Sequence, residues 1–193
     1  VLAYLRQNNL ENMISEASSF RVIFTYMTEA IVNSLLYGLF IGILLITLII
    51  GLFFRSYLLP ALSIFPNILP IGMGFGLWGL FVGDVGFMVA VGMGSTLGVI
   101  VDFTVHFLSK YELARREFKK SVEESVIYSF ETVGFALIIM TVVLALGFSV
   151  LNLVTFIPIQ DFAKFSVICF VGGLIINFLF LPNLLMKFDK RKF

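Results

Sequence analysis

Charge is scarce in this chain, and so are the residues on which most enzyme active sites depend. Only 13% of the 193 residues are charged, and there is a single cysteine and a single histidine. A lone cysteine cannot form an internal disulfide, and no cluster of metal ligands or nucleophile–base pair can be assembled from the sequence. We therefore expect neither an enzyme nor a metal or cofactor site. The net charge of +1 gives no reason to expect a nucleic-acid partner.

Apolar residues fill the chain instead. They make up 60% of the sequence, against about 45–50% in soluble domains. A helix needs about 20 mostly apolar residues to cross the hydrocarbon core of a bilayer, and runs of that length occur between the charged residues. We predict an all-α membrane protein, surrounded by the lipid bilayer, with five transmembrane helices at about 30–54, 57–83, 85–109, 132–153 and 163–186.

Basic residues are distributed unevenly between these spans. Most lie in the loops after the first and third spans and in the basic tail 187–193. The positive-inside rule places these segments in the cytoplasm, with the N-terminus of the chain extracytoplasmic. In residues 112–130, Phe118, Val122 and Val126 recur at four-residue spacing among charges. This pattern predicts an amphipathic cytoplasmic helix at the membrane interface, with a solvated connector as the alternative.

Residues 1–29 mix polar and apolar side chains. They have no basic segment followed by a short apolar core, so we expect no signal peptide. Phe20–Tyr26 is rich in β-branched and aromatic residues, which favours a strand. We interpret 1–29 as the end of an extracytoplasmic, porter-like domain, a remnant of a longer protein.

Glycines recur at four-residue spacing in several spans. In lipid, small residues at this spacing let helices approach closely, so we expect these glycines to pack helices together. The pairs are Gly38/Gly42, Gly72/Gly76, Gly79/Gly83 and Gly94/Gly98. Residues 74–79 also match a dinucleotide-binding pattern. The match lies inside an apolar span rather than after a strand, so it indicates no cofactor.

Asp102 interrupts the third span, where a charge is costly. A carboxylate at bilayer depth costs about 3 kcal/mol or more, and such residues usually face protein or water and mark ion or proton pathways. His106 lies one helical turn further on the same face. We assign Asp102 and His106 to a proton relay. The small, polar packing or pathway face beside them comprises Gly94, Ser95, Gly98 and Thr104.

Simpler roles stay open for both relay residues. Asp102 as a buried carboxylate could serve only to hold helices together through hydrogen bonds. His106 could orient Asp102, or could simply lie near the cytoplasmic interface.

Several motifs recur in order along the chain. They are Phe54-Arg55-Ser56, Pro66-Asn67-Ile68-Leu69-Pro70, residues 98–111 around Asp102, Ala114-Arg115-Arg116, residues 145–148 and residues 156–162. Together they resemble the RND (resistance–nodulation–division) superfamily, and within it the MMPL-like branch of exporters. The resemblance covers about residues 20–186, which would correspond to helices eight to twelve of a twelve-helix transporter.

The resemblance implies a transporter of the bacterial inner membrane that uses protons to export hydrophobic or lipid-like molecules. Asp102 matches the intramembrane acid of the family. Phe103 stands where many relatives have a second Asp or a Tyr, which weakens a two-acid relay. The repeated halves of such transporters imply a partner acid in a missing N-terminal half, or in a second copy of the chain.

Two other functions remain open from the sequence. One is a protein-translocation accessory subunit of the same superfamily. The other is a non-transporting membrane module, either lipid-sensing or a remnant.

Overall fold

The computed structural model describes residues 20–83 and 85–191, which are helical along almost all of their length. Six α-helices follow one another in this part of the chain: α1 (Phe20–Phe54), α2 (Leu58–Phe81), α3 (Phe87–Arg116), α4 (Val122–Ser129), α5 (Phe135–Val150) and α6 (Ile157–Phe188). A π-helical turn, Phe130–Gly134, joins α4 to α5, and a 3₁₀ turn, Leu151–Leu153, follows α5. The described residues include no strand, in agreement with an all-α architecture.

Five stretches of the described chain are long and apolar enough to cross a membrane, as a multi-pass membrane protein requires. They are Ala30–Phe54, Leu58–Phe81, Phe87–Arg116, Val122–Leu153 and Ile157–Phe188. The prediction of five such helices is confirmed. Helix α3 continues seven residues past its predicted end at residue 109, because charged residues mark the edge of the apolar core and need not end the helix.

The predicted strand at Phe20–Tyr26 is wrong, since α1 begins at Phe20 and runs without a break into the first span. The β-branched and aromatic residues that suggested a strand are also common in membrane helices. The first span, Ala30–Phe54, continues the same helix. Extending a formed helix adds one backbone hydrogen bond for each residue fixed, and this gain outweighs the strand preference of single residues. Residues 1–19 of the predicted remnant, and residues 192 and 193 of the tail, lie outside the described residues.

The predicted amphipathic helix 112–130 is not a separate element. Its first part belongs to α3, the chain then turns, and α4 starts a new helix. Lys119 adopts a positive φ of 49° in this turn. Ser121 then caps α4 through a capping box with Glu124. The apolar residues of the predicted helix therefore do not share one face. Phe118 is exposed in the turn, while Val126 is buried in the core.

Helix α6 is the centre of the bundle and packs against α2, α3 and α5. Close approach is possible where a glycine faces a large side chain. A Cβ added at Gly173 of α6 would lie 2.9 Å from Ile100 Cγ1 of α3, and one added at Gly92 of α3 would lie 3.0 Å from the Phe165 ring of α6. Helix α1 lies at the edge of the bundle, and most of its side chains that the structure describes are exposed.

Candidate functional site

Helix α3 has two faces of opposite character. Its inner face is buried against the neighbouring helices and includes Ile100, Phe103, Thr104 and Phe107. Its other face is exposed and is named the outer strip, comprising Gly94, Ser95, Gly98, Asp102 and His106. These positions are separated by three or four residues or are adjacent along an unbroken helix, so they share one side of α3. The structure thus groups these five predicted residues; their part in proton transfer stays a prediction.

Asp102 lies near the middle of α3 and points away from the bundle formed by the described helices. Neither Asp102 nor His106 makes a hydrogen bond or ion pair with another described residue. A carboxylate in mid-span that faced lipid would cost about 3 kcal/mol or more in its charged form. Charged Asp102 is therefore favoured where protein or water, rather than lipid, faces the outer strip.

The backbone of the outer strip is open to close approach. A Cβ added at Gly94 or Gly98 would meet no atom within 4 Å. The Ser95 hydroxyl donates to the Val91 carbonyl, at 2.9 Å, and so is satisfied within its own helix. The expectation that the Gly94/Gly98 pair packs helices is not met within the described bundle, where Gly74, Gly92, Gly172 and Gly173 make close contacts instead. Gly38, Gly72, Gly76 and Gly79 are equally free of neighbours.

Thr104 is not part of the outer strip, which corrects its predicted place on the face of Asp102. It is fully buried on the inner face. Its hydroxyl donates to Asn67 Oδ1 of α2 at 2.6 Å and accepts from Asn177 Nδ2 of α6 at 2.7 Å. These three side chains, named the polar node, tie α2, α3 and α6 together in the interior of the bundle. The Thr132 and Thr141 hydroxyls each donate to the carbonyl four residues earlier in the chain and join no other helix to their own segment.

Sequence reasoning missed the polar node as a site, although a signal was present. Asn67 and Asn177 are amides within apolar spans, and a buried amide needs a hydrogen-bonding partner. The sequence did not show which polar side chains pair with one another, because residues 67, 104 and 177 are distant along the chain.

An ion cluster at the C-terminal end of α3 was also missed. The Arg191 guanidinium donates to both Glu112 carboxylate oxygens, at 3.1 and 2.9 Å, and to Asp189. The Tyr111 hydroxyl donates to Asp189 Oδ2 at 2.7 Å. Arg116 donates to the Phe54 carbonyl at the end of α1 and pairs with Glu112. The cluster fixes the start of the basic tail to α3.

The electrostatics of this cluster favour its charged form. Burial raises the pKa of Asp189, but hydrogen bonds from Arg191 and Tyr111 outweigh burial and bring the pKa down to about 2. Burial lowers the pKa of Arg191, and its bonds to Asp189 and Glu112 raise it above the usual value. Asp189 and Arg191 are therefore both charged near neutral pH, and Arg191 joins Asp189 to Glu112 of α3.

Within residues 20–83 and 85–191, no group of three or more His, Cys, Asp or Glu side chains is placed to hold a metal ion. No protein-family model matches the chain, and no curated protein shows significant similarity to it.

Proposed function

We propose that this chain is the C-terminal half of a proton-motive-force-driven exporter of hydrophobic or lipid-like molecules, of the RND type, in a bacterial inner membrane. The observation that carries the proposal is Asp102, a carboxylate in mid-span on an exposed strip of small residues. A charged side chain at this depth is energetically costly in lipid. The intramembrane acids that proteins do contain commonly mark proton pathways. The motifs around Asp102 and Asn67 that resemble the superfamily support the same conclusion.

In this proposal the outer strip faces the corresponding helix of an N-terminal half. Gly94 and Gly98 leave room for that helix to approach closely, because no neighbouring atom lies within 4 Å of their added Cβ positions. Charged Asp102 requires water or a polar partner between the helices, whereas the neutral acid tolerates dry contact. Protonation then favours a close packing of the two helices, and loss of the proton favours a hydrated, more open one.

His106 lies four residues beyond Asp102, toward the end of α3 that carries the basic residues, or about 6 Å along the helix axis. The positive-inside rule places that end in the cytoplasm. His106 would therefore receive the proton that Asp102 releases on the cytoplasmic side. An imidazole suits this step because one of its two ring nitrogens can accept a proton while the other donates one.

The experiment is efflux from cells or proteoliposomes that contain the complete protein, driven by an imposed pH gradient. Asp102→Asn keeps the size of the side chain but cannot exchange a proton, and we expect it to reduce gradient-driven efflux at least a hundredfold. Asp102→Glu should retain part of the efflux. Glu131→Gln is the matched control, since Glu131 is also exposed but lies on the π-helical turn, away from the outer strip. Unchanged efflux in Asp102→Asn would refute the proposal.

A further inference from the structure

An apolar groove lies between α1 and α2, on the outside of the bundle. Its volume is about 650 Å³. Leu44, Leu48 and Leu52 form one wall, and Pro60 and Ile64 of α2 form part of the other. The three leucines are each more than half exposed, so the described helices leave the groove open.

The length of the groove matches one leaflet of a bilayer. Its lining runs along α1 from Leu44 to Arg55, which at 1.5 Å per residue is about 16 Å. The hydrocarbon core of a bilayer is about 30 Å thick, so one leaflet contributes about 15 Å. The first span ends at Phe54, which places Arg55 at the membrane surface and the far end of the groove near the midplane.

Arg55 gives the surface end of the groove a positive charge. It is exposed, it is the one charged residue among the described residues that line the groove, and it makes no hydrogen bond or ion pair with a described residue. Ser56 and Tyr57 line the same end and supply hydroxyl groups. The groove therefore combines a long apolar floor with a cation and hydroxyls at its mouth.

The backbone conformation of Arg55 is one that glycine usually adopts. Arg55 has a φ of 47°, and the Ser56 N–H donates to the Gly51 carbonyl. This is the Schellman arrangement that ends a helix, in which the left-handed residue is usually glycine. A side chain is disfavoured in the left-handed region because its Cβ approaches the following carbonyl oxygen. Helix closure alone would favour glycine, so the arginine at this position calls for another explanation.

We propose that the groove binds an anionic phospholipid of the surrounding bilayer. One acyl chain lies along Leu44, Leu48 and Leu52, and the phosphate accepts hydrogen bonds from the Arg55 guanidinium. An apolar helix in the same groove would cover Arg55 without neutralising it, which is unfavourable. A lipid phosphate fills the groove and pairs the charge at once. This inference does not depend on the transport function proposed above.

The test is lipid retention by the purified complete protein in mild detergent, measured by native mass spectrometry. Phosphatidylglycerol and phosphatidylcholine with identical acyl chains are the probes. A basic residue near an anionic lipid contributes about 1 kcal/mol, so Arg55→Gln should weaken phosphatidylglycerol binding about fivefold and leave phosphatidylcholine binding unchanged. Arg55→Gly should have the same effect on lipid without strain at the helix end. Ala61→Trp, which fills the groove, should weaken both lipids.

Lys119→Gln is the matched control. Lys119 is also an exposed cation with a positive φ, but it lies in the turn before α4 and does not line the groove. Equal retention of the two lipids by the unaltered protein would overturn the proposal. So would a Lys119→Gln variant that loses phosphatidylglycerol as strongly as Arg55→Gln, because attraction would then be unspecific. If Ala61→Trp dissociates an oligomer and leaves lipid retention unchanged, a polypeptide occupies the groove and the lipid assignment is wrong.

Discussion

Replacing Thr104 with valine tests whether the polar node holds the bundle together. The two side chains have nearly the same shape, so the change removes the hydroxyl without leaving a cavity. The variant loses two interhelical hydrogen bonds, one to Asn67 and one from Asn177. It also leaves two buried amides without the partner they have now.

The expected loss of stability follows from these bonds. Interhelical hydrogen bonds in membrane proteins average about 0.6 kcal/mol each, and a buried polar group left unpaired in a protein costs about 1–3 kcal/mol. The two lost bonds alone would lower the free energy of unfolding by about 1 kcal/mol. The loss is larger if a buried amide finds no new hydrogen-bonding partner. We therefore expect Thr104→Val to destabilise the bundle by about 1–3 kcal/mol.

The assay is equilibrium unfolding in mixed micelles with increasing SDS, followed by circular dichroism. Thr141→Val is the matched control, because Thr141 is also buried but its hydroxyl donates only to the Leu137 carbonyl one turn earlier. We expect the control to change stability by less than about 0.5 kcal/mol. In a double-mutant cycle, Asn177→Leu should cost less in the Thr104→Val background than alone. Equal losses for Thr104→Val and Thr141→Val, with additive effects in the cycle, would refute the reasoning.

Two further predictions concern packing and the ion cluster. Gly173→Ala should destabilise the bundle by about 1–3 kcal/mol in the same assay, because its Cβ would lie 2.9 Å from Ile100 Cγ1. Gly98→Ala is the control and should leave the stability of the isolated chain unchanged, because no atom lies within 4 Å of its added Cβ. Equal losses of stability in the two variants would contradict this prediction. Since the pKa of Asp189 is lowered to about 2, its contribution to stability, roughly 2 kcal/mol, should be fully present above about pH 4 and disappear as pH falls through 2. Asp189→Asn should abolish that part of the acid dependence of unfolding, and an unchanged dependence would show that the carboxylate is not held by Arg191 and Tyr111.

The number and position of the spans could be read from the sequence because charges are expensive in hydrocarbon and so mark the ends of apolar runs. The spacing of Gly94, Gly98, Asp102 and His106 also predicted that these residues share one side of α3, since helical periodicity depends only on spacing. The strand at Phe20–Tyr26 was wrong because these residues extend the helix of the first span. Lengthening a formed helix is easier than starting one, and this outweighs the strand preference of single residues.

The direction in which each helix face points could not be predicted. Lipid tails and protein interiors are about equally apolar, so hydropathy does not separate a face that meets lipid from one that meets another helix. Gly92, Gly94 and Gly98 are all glycines of α3, yet among these three only Gly92 contacts a neighbouring helix within the described bundle. The polar node and the ion cluster depend on pairings across 37 to 79 residues of chain, which local patterns do not contain.

The placement of these pairings bears on how a proton at Asp102 could act. Helix α3 is fixed on its inner side by Thr104 in the polar node, and at its end by Arg116 on the Phe54 carbonyl. Rotating α3 would break these bonds, and those of the polar node lie in the interior, where no water can replace them. In the transport function proposed here, a change of charge at Asp102 is therefore transmitted outward, to whatever covers the outer strip, while α3 keeps its place in the bundle. Variants of the polar node should then alter stability first, and variants of Gly94 or Gly98 should alter transport first.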